Sequence, residues 1–249
     1  MTPRLPALLA CFAIAALWSL GAHADDAARP PIEPTTFSGA SAGTTFPAGW
    51  MTQSLPGVDR ENRFDLISEQ GSTVLRVVSD RSSSSLAYAL RVDPAATPLL
   101  KWRWRISGAL AGSDLREKAG DDYAARVYVL FDLPVERLSI GDRLKISAAR
   151  LLHGANIPAA ALCYVWGSKQ AAGETGWNPY SDRVRMIVVD SGNAHAGQWR
   201  EVVRDVAADF RAAFGDPVPQ ITAVALGADT DNTAERVETR FGDMHFFSR

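Results

Sequence analysis

The chain has 249 residues, 47% of them hydrophobic, with 26 basic against 28 acidic side chains and a formal net charge of −2. That balance supplies no basic field for a phosphate backbone and no polybasic cluster for anionic lipid, so it argues against nucleic acid as a partner and against electrostatic attachment to a membrane. The length suffices for one sizeable domain with its own core.

Met1 to Arg4 carries one positive charge, Leu5 to Leu20 is apolar apart from Pro6 and Ser19, and Ala22-His23-Ala24 puts small residues where a signal peptidase needs them. We expect a signal peptide over residues 1–24, cleaved after Ala24, and a periplasmic or secreted protein with no membrane span in the mature chain. A spanning helix needs about 20 apolar residues, and this run meets Gly21 and a polar segment too soon. Leu8-Leu9-Ala10-Cys11 has the residue types of a lipobox, but cleavage there would leave Phe12 to Leu20 as an exposed apolar tail. Processing removes Cys11, so Cys163 alone remains and an internal disulfide is excluded. An oxidising compartment permits disulfides without requiring them. Residues 25–36, with Pro30, Pro31 and Pro34, read as a linker, and residues 37–249 as a single domain.

Within that domain short β-type runs alternate with turn residues: Phe64 to Ser68, Thr73 to Ser79, Leu86 to Val92, Leu99 to Ile106 and Tyr123 to Asp132. Others follow at Ala160 to Gly167, Arg183 to Asp190, Trp199 to Val203, Ile221 to Ala228 and Thr239 to Phe247. Such spacing predicts an all-β fold, a two-sheet β-sandwich of jelly-roll type with one or two peripheral helices. One helix is expected over Val206 to Phe214, capped by Asp205 and stopped by Gly215, with Val206, Phe210, Ala213 and Phe214 on one face. A second is expected over Ser139 to Leu152, where Ile140, Leu144, Ala148 and Leu151 share a face. Ser82 to Ser85 reads as a loop.

Several longer motifs carry a resemblance. They are Pro47-Ala48-Gly49-Trp50, Lys101-Trp102-Arg103-Trp104, Gly120-Asp121-Asp122-Tyr123-Ala124-Ala125-Arg126-Val127-Tyr128-Val129 and Tyr164-Val165-Trp166-Gly167. Val188-Val189-Asp190-Ser191-Gly192, Asp229-Thr230-Asp231-Asn232-Thr233 and Phe241-Gly242-Asp243-Met244-His245-Phe246 complete the set. Through them the chain resembles the exported bacterial family known as domain of unknown function 3047, a resemblance that implies identity without chemistry. The layout is also similar to jelly-roll carbohydrate-binding and galactose-binding-like domains, which implies that Phe241 to Phe247 closes the fold beside the N-terminal strand. A fold does not fix a function.

Catalytic signatures are weak. Gly39-Ala40-Ser41-Ala42-Gly43 matches G-x-S-x-G, but the nucleophile elbow needs a strand before it and a helix after it, and a Pro-rich linker precedes this copy. His153, His195 and His245 lack the H-x-x-x-H spacing of a zinc site, and a lone cysteine rules out a sulfur-rich one. No phosphate-cradling glycine motif occurs. Asp121, Asp122, Asp132, Glu174, Asp182 and Asp190 all fall near strand ends, where a glycosidase would place its two acids.

Two constellations remain. Alternating oxygen side chains at Asp229, Asp231 and Asn232 suit a hard cation such as calcium. The loop is no EF-hand, since Ala234 stands at its sixth position and Arg240 at its twelfth, and Asx-turns explain the same residues. In Lys101 to Arg105 a period of two sends Trp102 and Trp104 to one face, read as core, and the cations to the other. By the same period Val127, Val129 and Phe131 point inward and Arg126, Tyr128 and Leu130 outward. If the strands are neighbours, Tyr128, Tyr164 and Trp166 would share a face with Arg126 and one or more of Arg103, Arg105 and Arg185, and with Asn178 close by they would form a saccharide surface. The expected function is therefore a non-catalytic module binding a saccharide or other envelope component without a cofactor. The alternatives are a polysaccharide-active hydrolase or lyase and a structural envelope protein.

Overall fold

The computed structural model describes residues 33–54, 58–134 and 160–249. The expected signal peptide, most of the expected linker and the expected helix over Ser139 to Leu152 lie outside the described residues.

Alternation of apolar and polar side chains lets each strand bury one side against a facing sheet, and two sheets result. The first has seven strands, in the order β1 (Trp50–Ser54), β4 (Ser83–Val92), β11 (Ile221–Asp229), β6 (Arg126–Phe131), β7 (Ala160–Gly167), β9 (Ser181–Ser191) and β8 (Thr175–Asn178). All neighbours are antiparallel except β7 and β9, which run parallel. The second runs β10 (Arg200–Asp205), β5 (Leu99–Ile106), β12 (Arg236–Phe241), β3 (Ser72–Asp80) and β2 (Arg63–Glu69), with β13 (His245–Phe247) also paired to β5. The molecule is thus the all-β, two-sheet sandwich of jelly-roll type that the spacing predicted, with one α-helix among the described residues, α1 (Val206–Phe214).

Trp102 and Trp104 of β5 meet Tyr164 and Trp166 of β7 across the gap between the sheets. The Trp102 ring lies 5.3 Å from Tyr164, and Trp104 lies 5.8 Å from Trp166. All four are fully buried. Each large ring removes about 200 Å² from water, roughly 5 kcal/mol of gross burial energy. Two of the three indole N–H groups are satisfied where the core meets its rim: Trp104 Nε1 donates to Asp190 Oδ2 at 2.9 Å, and Trp166 Nε1 donates to the Gly192 carbonyl at 3.0 Å, while Trp102 Nε1 is buried without a hydrogen-bond partner among the described residues.

Helix α1 begins and ends where its cap residues predict. Asp205 accepts a hydrogen bond from Ala208 N at 2.9 Å, and Gly215 takes a positive φ of 79°. The helix presses Phe210 onto Phe131 at 4.5 Å and so covers one side of the sandwich.

Four sequence expectations need correction. Ser83 to Ser85 is no loop but the buried start of β4. Its polar groups are matched nearby: Ser84 Oγ accepts from Asn62 N, and Asn62 Nδ2 donates to the carbonyls of Ser84 and Ala228. The run Thr239 to Phe247 splits into β12 and β13. It does not pair with the first strand, because β13 pairs with β5 while β1 belongs to the other sheet; the link to the N-terminal segment is Asp243 Oδ1, which accepts from Phe37 N and Ser38 N. Finally, the outer face of the seven-stranded sheet is not wet. Ala87, Tyr128, Leu130, Cys163, Val165, Met186 and Val188 form a second buried cluster there, with Leu115 and Tyr123 from the β5–β6 connection joining it.

Candidate functional site

The most charged part of the interior lies at one end of the seven-stranded sheet, where the connection into β6 meets the turn after β11. Gly120 allows the connection to fold tightly: a Cβ there would come within 2.8 Å of Asp114 N and 2.9 Å of the Gly112 carbonyl. The chain then runs through Asp121 and Asp122 to Tyr123, whose backbone exchanges hydrogen bonds with Asp229 at 3.0 and 3.1 Å. This exchange joins two segments more than one hundred residues apart in sequence.

Arg126 is the centre of the arrangement. It is 4% exposed and lies over the Tyr123 ring with Cζ 4.8 Å from the centroid. Nη1 donates to Tyr128 Oη at 2.9 Å, while Nη2 reaches Asp229 Oδ2 at 2.9 Å, Asp121 Oδ1 at 3.4 Å and the Asp121 carbonyl. Asp121 Oδ2 accepts from Asn178 Nδ2 at 2.8 Å. Burial raises the Asp121 carboxyl above the usual range, opposed by the Arg126 charge and the Asn178 hydrogen bond. Asp229 is pushed well up, first by burial and against Arg126, with neighbouring Asp231 and Asp122 adding to the rise. Desolvation works against the charge on Arg126, but Tyr128, Asp229 and Asp121 outweigh it and hold the guanidinium firmly protonated.

Beside this nest Asp122, Asp229 and Asp231 each place one oxygen within 4.8 Å of the others. Asp122 is fully buried and held by Thr233, whose N and Oγ1 both donate to Oδ2 at 2.7 Å; Asn232 Nδ2 donates to Oδ1 at 3.3 Å. The expected cation triad is therefore revised. Asp229 and Asp231 converge, Asp122 joins them, and Asn232 orients Asp122.

The expected saccharide face does not form. Register pairs Tyr128 with Cys163 and Val127 with Tyr164, so Tyr128 and Tyr164 stand on opposite faces of the sheet. Tyr164 and Trp166 lie between the sheets, and the Tyr164 hydroxyl donates to Asp209 Oδ2 at 2.8 Å. Arg126, Tyr128 and Asn178 are also buried. Arg103 and Arg105 belong to β5 in the other sheet, and of the rest Arg185 alone reaches a surface.

It does so at the β8 edge. Trp177 pairs in register with Arg185, whose Cζ lies 5.0 Å from the indole centroid, and Arg185 Nη2 donates to Thr175 Oγ1. Phe214 of α1 meets the same indole edge-on at 5.4 Å. Trp177 is nevertheless 40% exposed. A second such pair, Arg103 over Trp199 at 4.7 Å, sits on the six-stranded sheet, but there the indole N–H is committed to Glu69 at 3.2 Å. Sequence reasoning missed Trp177 because β8 is only four residues long. The available signal was an isolated tryptophan in the polar stretch from Gly173 to Asp182.

The remaining acids serve structure or solvent: Asp190 accepts from Trp104 and Arg200, and Glu174 pairs with Arg116 on the surface. The G-x-S-x-G segment makes no elbow. Gly43 forms an isolated bridge to Leu66, and Ser41 is exposed on an irregular segment. Among the described residues no helix is long and apolar enough to cross a membrane.

A family model described as protein of unknown function (DUF3047) matches residues 48–245. No curated protein matches the sequence. Among solved structures the chain is similar to the xyloglucanase domain of NopAA, a type three effector from Sinorhizobium fredii, with 9% identity, a TM-score of 0.46 and coverage of 84% of this chain and 97% of that one. It is similar too to endoglucanase cel12A from Rhodothermus marinus, at 9% identity, TM-score 0.44 and coverage of 84% and 96%. The family 30 carbohydrate-binding module of a Clostridium thermocellum cellulosomal cellulase follows at 12% identity, TM-score 0.35 and coverage of 88% and 96%.

Proposed function

The chain belongs to the DUF3047 family, and we propose that it is an exported, non-catalytic module that binds a saccharide of the cell envelope through the Trp177–Arg185 platform. The observation that carries this reading is an indole left 40% exposed while stacked on a guanidinium. Burying such a ring against solvent-facing neighbours is favourable, and leaving it open gives a pyranose C–H face something to stack on. Arg185 and Thr175 beside it supply polar groups for ring hydroxyls or a sugar carboxylate. An exposed ring beside a guanidinium suits retention of a polymer more than cleavage of one. A Kd near 1 mM for one sugar unit corresponds to about 4 kcal/mol of binding free energy, and repeated units along a polysaccharide raise the effective affinity.

The test is a glycan array followed by pull-down on cell-wall polysaccharides, comparing the protein with Trp177→Ala. The reading expects retention on at least one polymer and a loss of tenfold or more in the variant, with far-UV circular dichroism unchanged. Silence across the whole array, equal retention by both proteins, or release of reducing ends from the retained polymer would each overturn it.

A further inference from the structure

We infer that Asp122, Asp229 and Asp231 form a binding site for a hard divalent cation of the calcium class. The inference is independent of the saccharide reading, since none of its residues belongs to the Trp177 platform.

Three observations carry it. The first is convergence: one oxygen from each of the three carboxylates lies within 4.8 Å of the other two. Calcium–oxygen bonds of about 2.4 Å put any two ligands of one ion no more than about 4.8 Å apart. The second is an orphan acceptor. Asp229 is 7% exposed; its Oδ2 is engaged by Arg126, but its Oδ1 is buried and has no hydrogen-bond partner. A buried carboxylate oxygen without a donor carries its full desolvation penalty, and a bound cation removes that penalty directly. The third is charge. Asp121 and Asp229 are buried against the guanidinium of Arg126, Asp122 is buried beside Asp229, and Asp231 adds a further carboxylate from the solvent side. A divalent ion offsets that excess where one arginine does not.

The donor set also decides the class of metal. All three ligands are carboxylate oxygens, with neither imidazole nor thiolate among them, which suits calcium or magnesium and disfavours zinc and copper. Thr233 fixes Asp122 through two hydrogen bonds to Oδ2, so Oδ1, held only by a 3.3 Å contact from Asn232, is the oxygen available to the ion. Water completes the coordination on the side where Asp231 opens to solvent. The ion would fasten the turn after β11 to the connection leading into β6, a structural role.

The experiment is calorimetric and thermal titration of the chelator-treated full protein with calcium chloride and, separately, magnesium chloride, alongside Asp231→Asn. The account expects one equivalent of ion to bind and a rise in Tm of about 5 to 10 °C at a concentration about 100-fold above Kd. Asp231→Asn, a change on the solvent side, should fold normally without the ion and bind at least tenfold more weakly. Absence of both heat and Tm shift with either ion at 10 mM, or an undiminished response in Asp231→Asn, would overturn the site.

Discussion

Replacing Arg126 by methionine, in the presence of a chelator so that only the protein's own charges act, tests the electrostatic design of the interior. The substitution keeps much of the side-chain volume and removes a guanidinium that is 4% exposed and sits 2.9 Å from Asp229 and 3.4 Å from Asp121. Both carboxylates stay buried, Asp121 retaining the Asn178 hydrogen bond. Breaking a buried pair by removing one partner costs about 3–5 kcal/mol, because the remaining charge has neither water nor counter-charge. At about 2–4 °C per kcal/mol in a domain of this size, Tm should fall by about 6–20 °C. Arg76 and Asp65, with side chains 35% and 29% exposed, make the control pair; Arg76→Met should cost less than about 1 kcal/mol. Adding Asp229→Asn to Arg126→Met removes one of the stranded charges and should recover part of the loss. Urea denaturation at pH 7 measures all four proteins. An Arg126→Met variant within about 1 kcal/mol of the parent, or a double variant no better than the single, would refute the reasoning.

Two further outcomes follow from other parts of the molecule. Burial tends to raise the Glu69 carboxyl, but hydrogen bonds and charge from Arg240, the Trp199 indole and Arg105 together bring it below the usual range. Its contribution is therefore present above the unfolded carboxylate pKa and lost as pH falls through the folded one. Glu69→Gln should cost about 1 kcal/mol at pH 7 by urea denaturation, and the gap to the parent should close as pH falls below about 4; a gap that is constant with pH contradicts this. Gly49→Ala should destabilise by about 2 kcal/mol or more in a thermal melt, because Gly49 has φ of 94° and a Cβ there would meet the Tyr88 ring at 2.4 Å. A neutral result would mean that Tyr88 and the turn relax freely.

The strands legible in the sequence are those whose alternation is strong. The run Leu99 to Ile106, reading L-L-K-W-R-W-R-I, has the bounds of β5, Ala160 to Gly167 has those of β7, and the capped amphipathic run Val206 to Phe214 is α1. β1, with the polar sequence W-M-T-Q-S, and β8, with T-G-W-N, carry too little apolar pattern to register. The candidate surface failed for a different reason. Parity within β6 and within β7 was readable, but which parity of one strand faces which of the other depends on register, and a one-residue shift moves every side chain to the opposite face. Pairing Val127 with Tyr164 sends Tyr164 into the core. Asp122 was visible only as one of several acids near strand ends, because its partners Asn232 and Thr233 are about 110 positions away. Long-range pairing of that kind leaves no mark on local composition.

The proposed contact surface is tested most directly by following the indole N–H resonances of the tryptophans while soluble envelope polysaccharides are titrated in. The account predicts that the Trp177 signal moves with saturation while those of buried Trp102, Trp104 and Trp166 stay in place. Binding with Trp177 unmoved, or a shift confined to the core indoles, would contradict it.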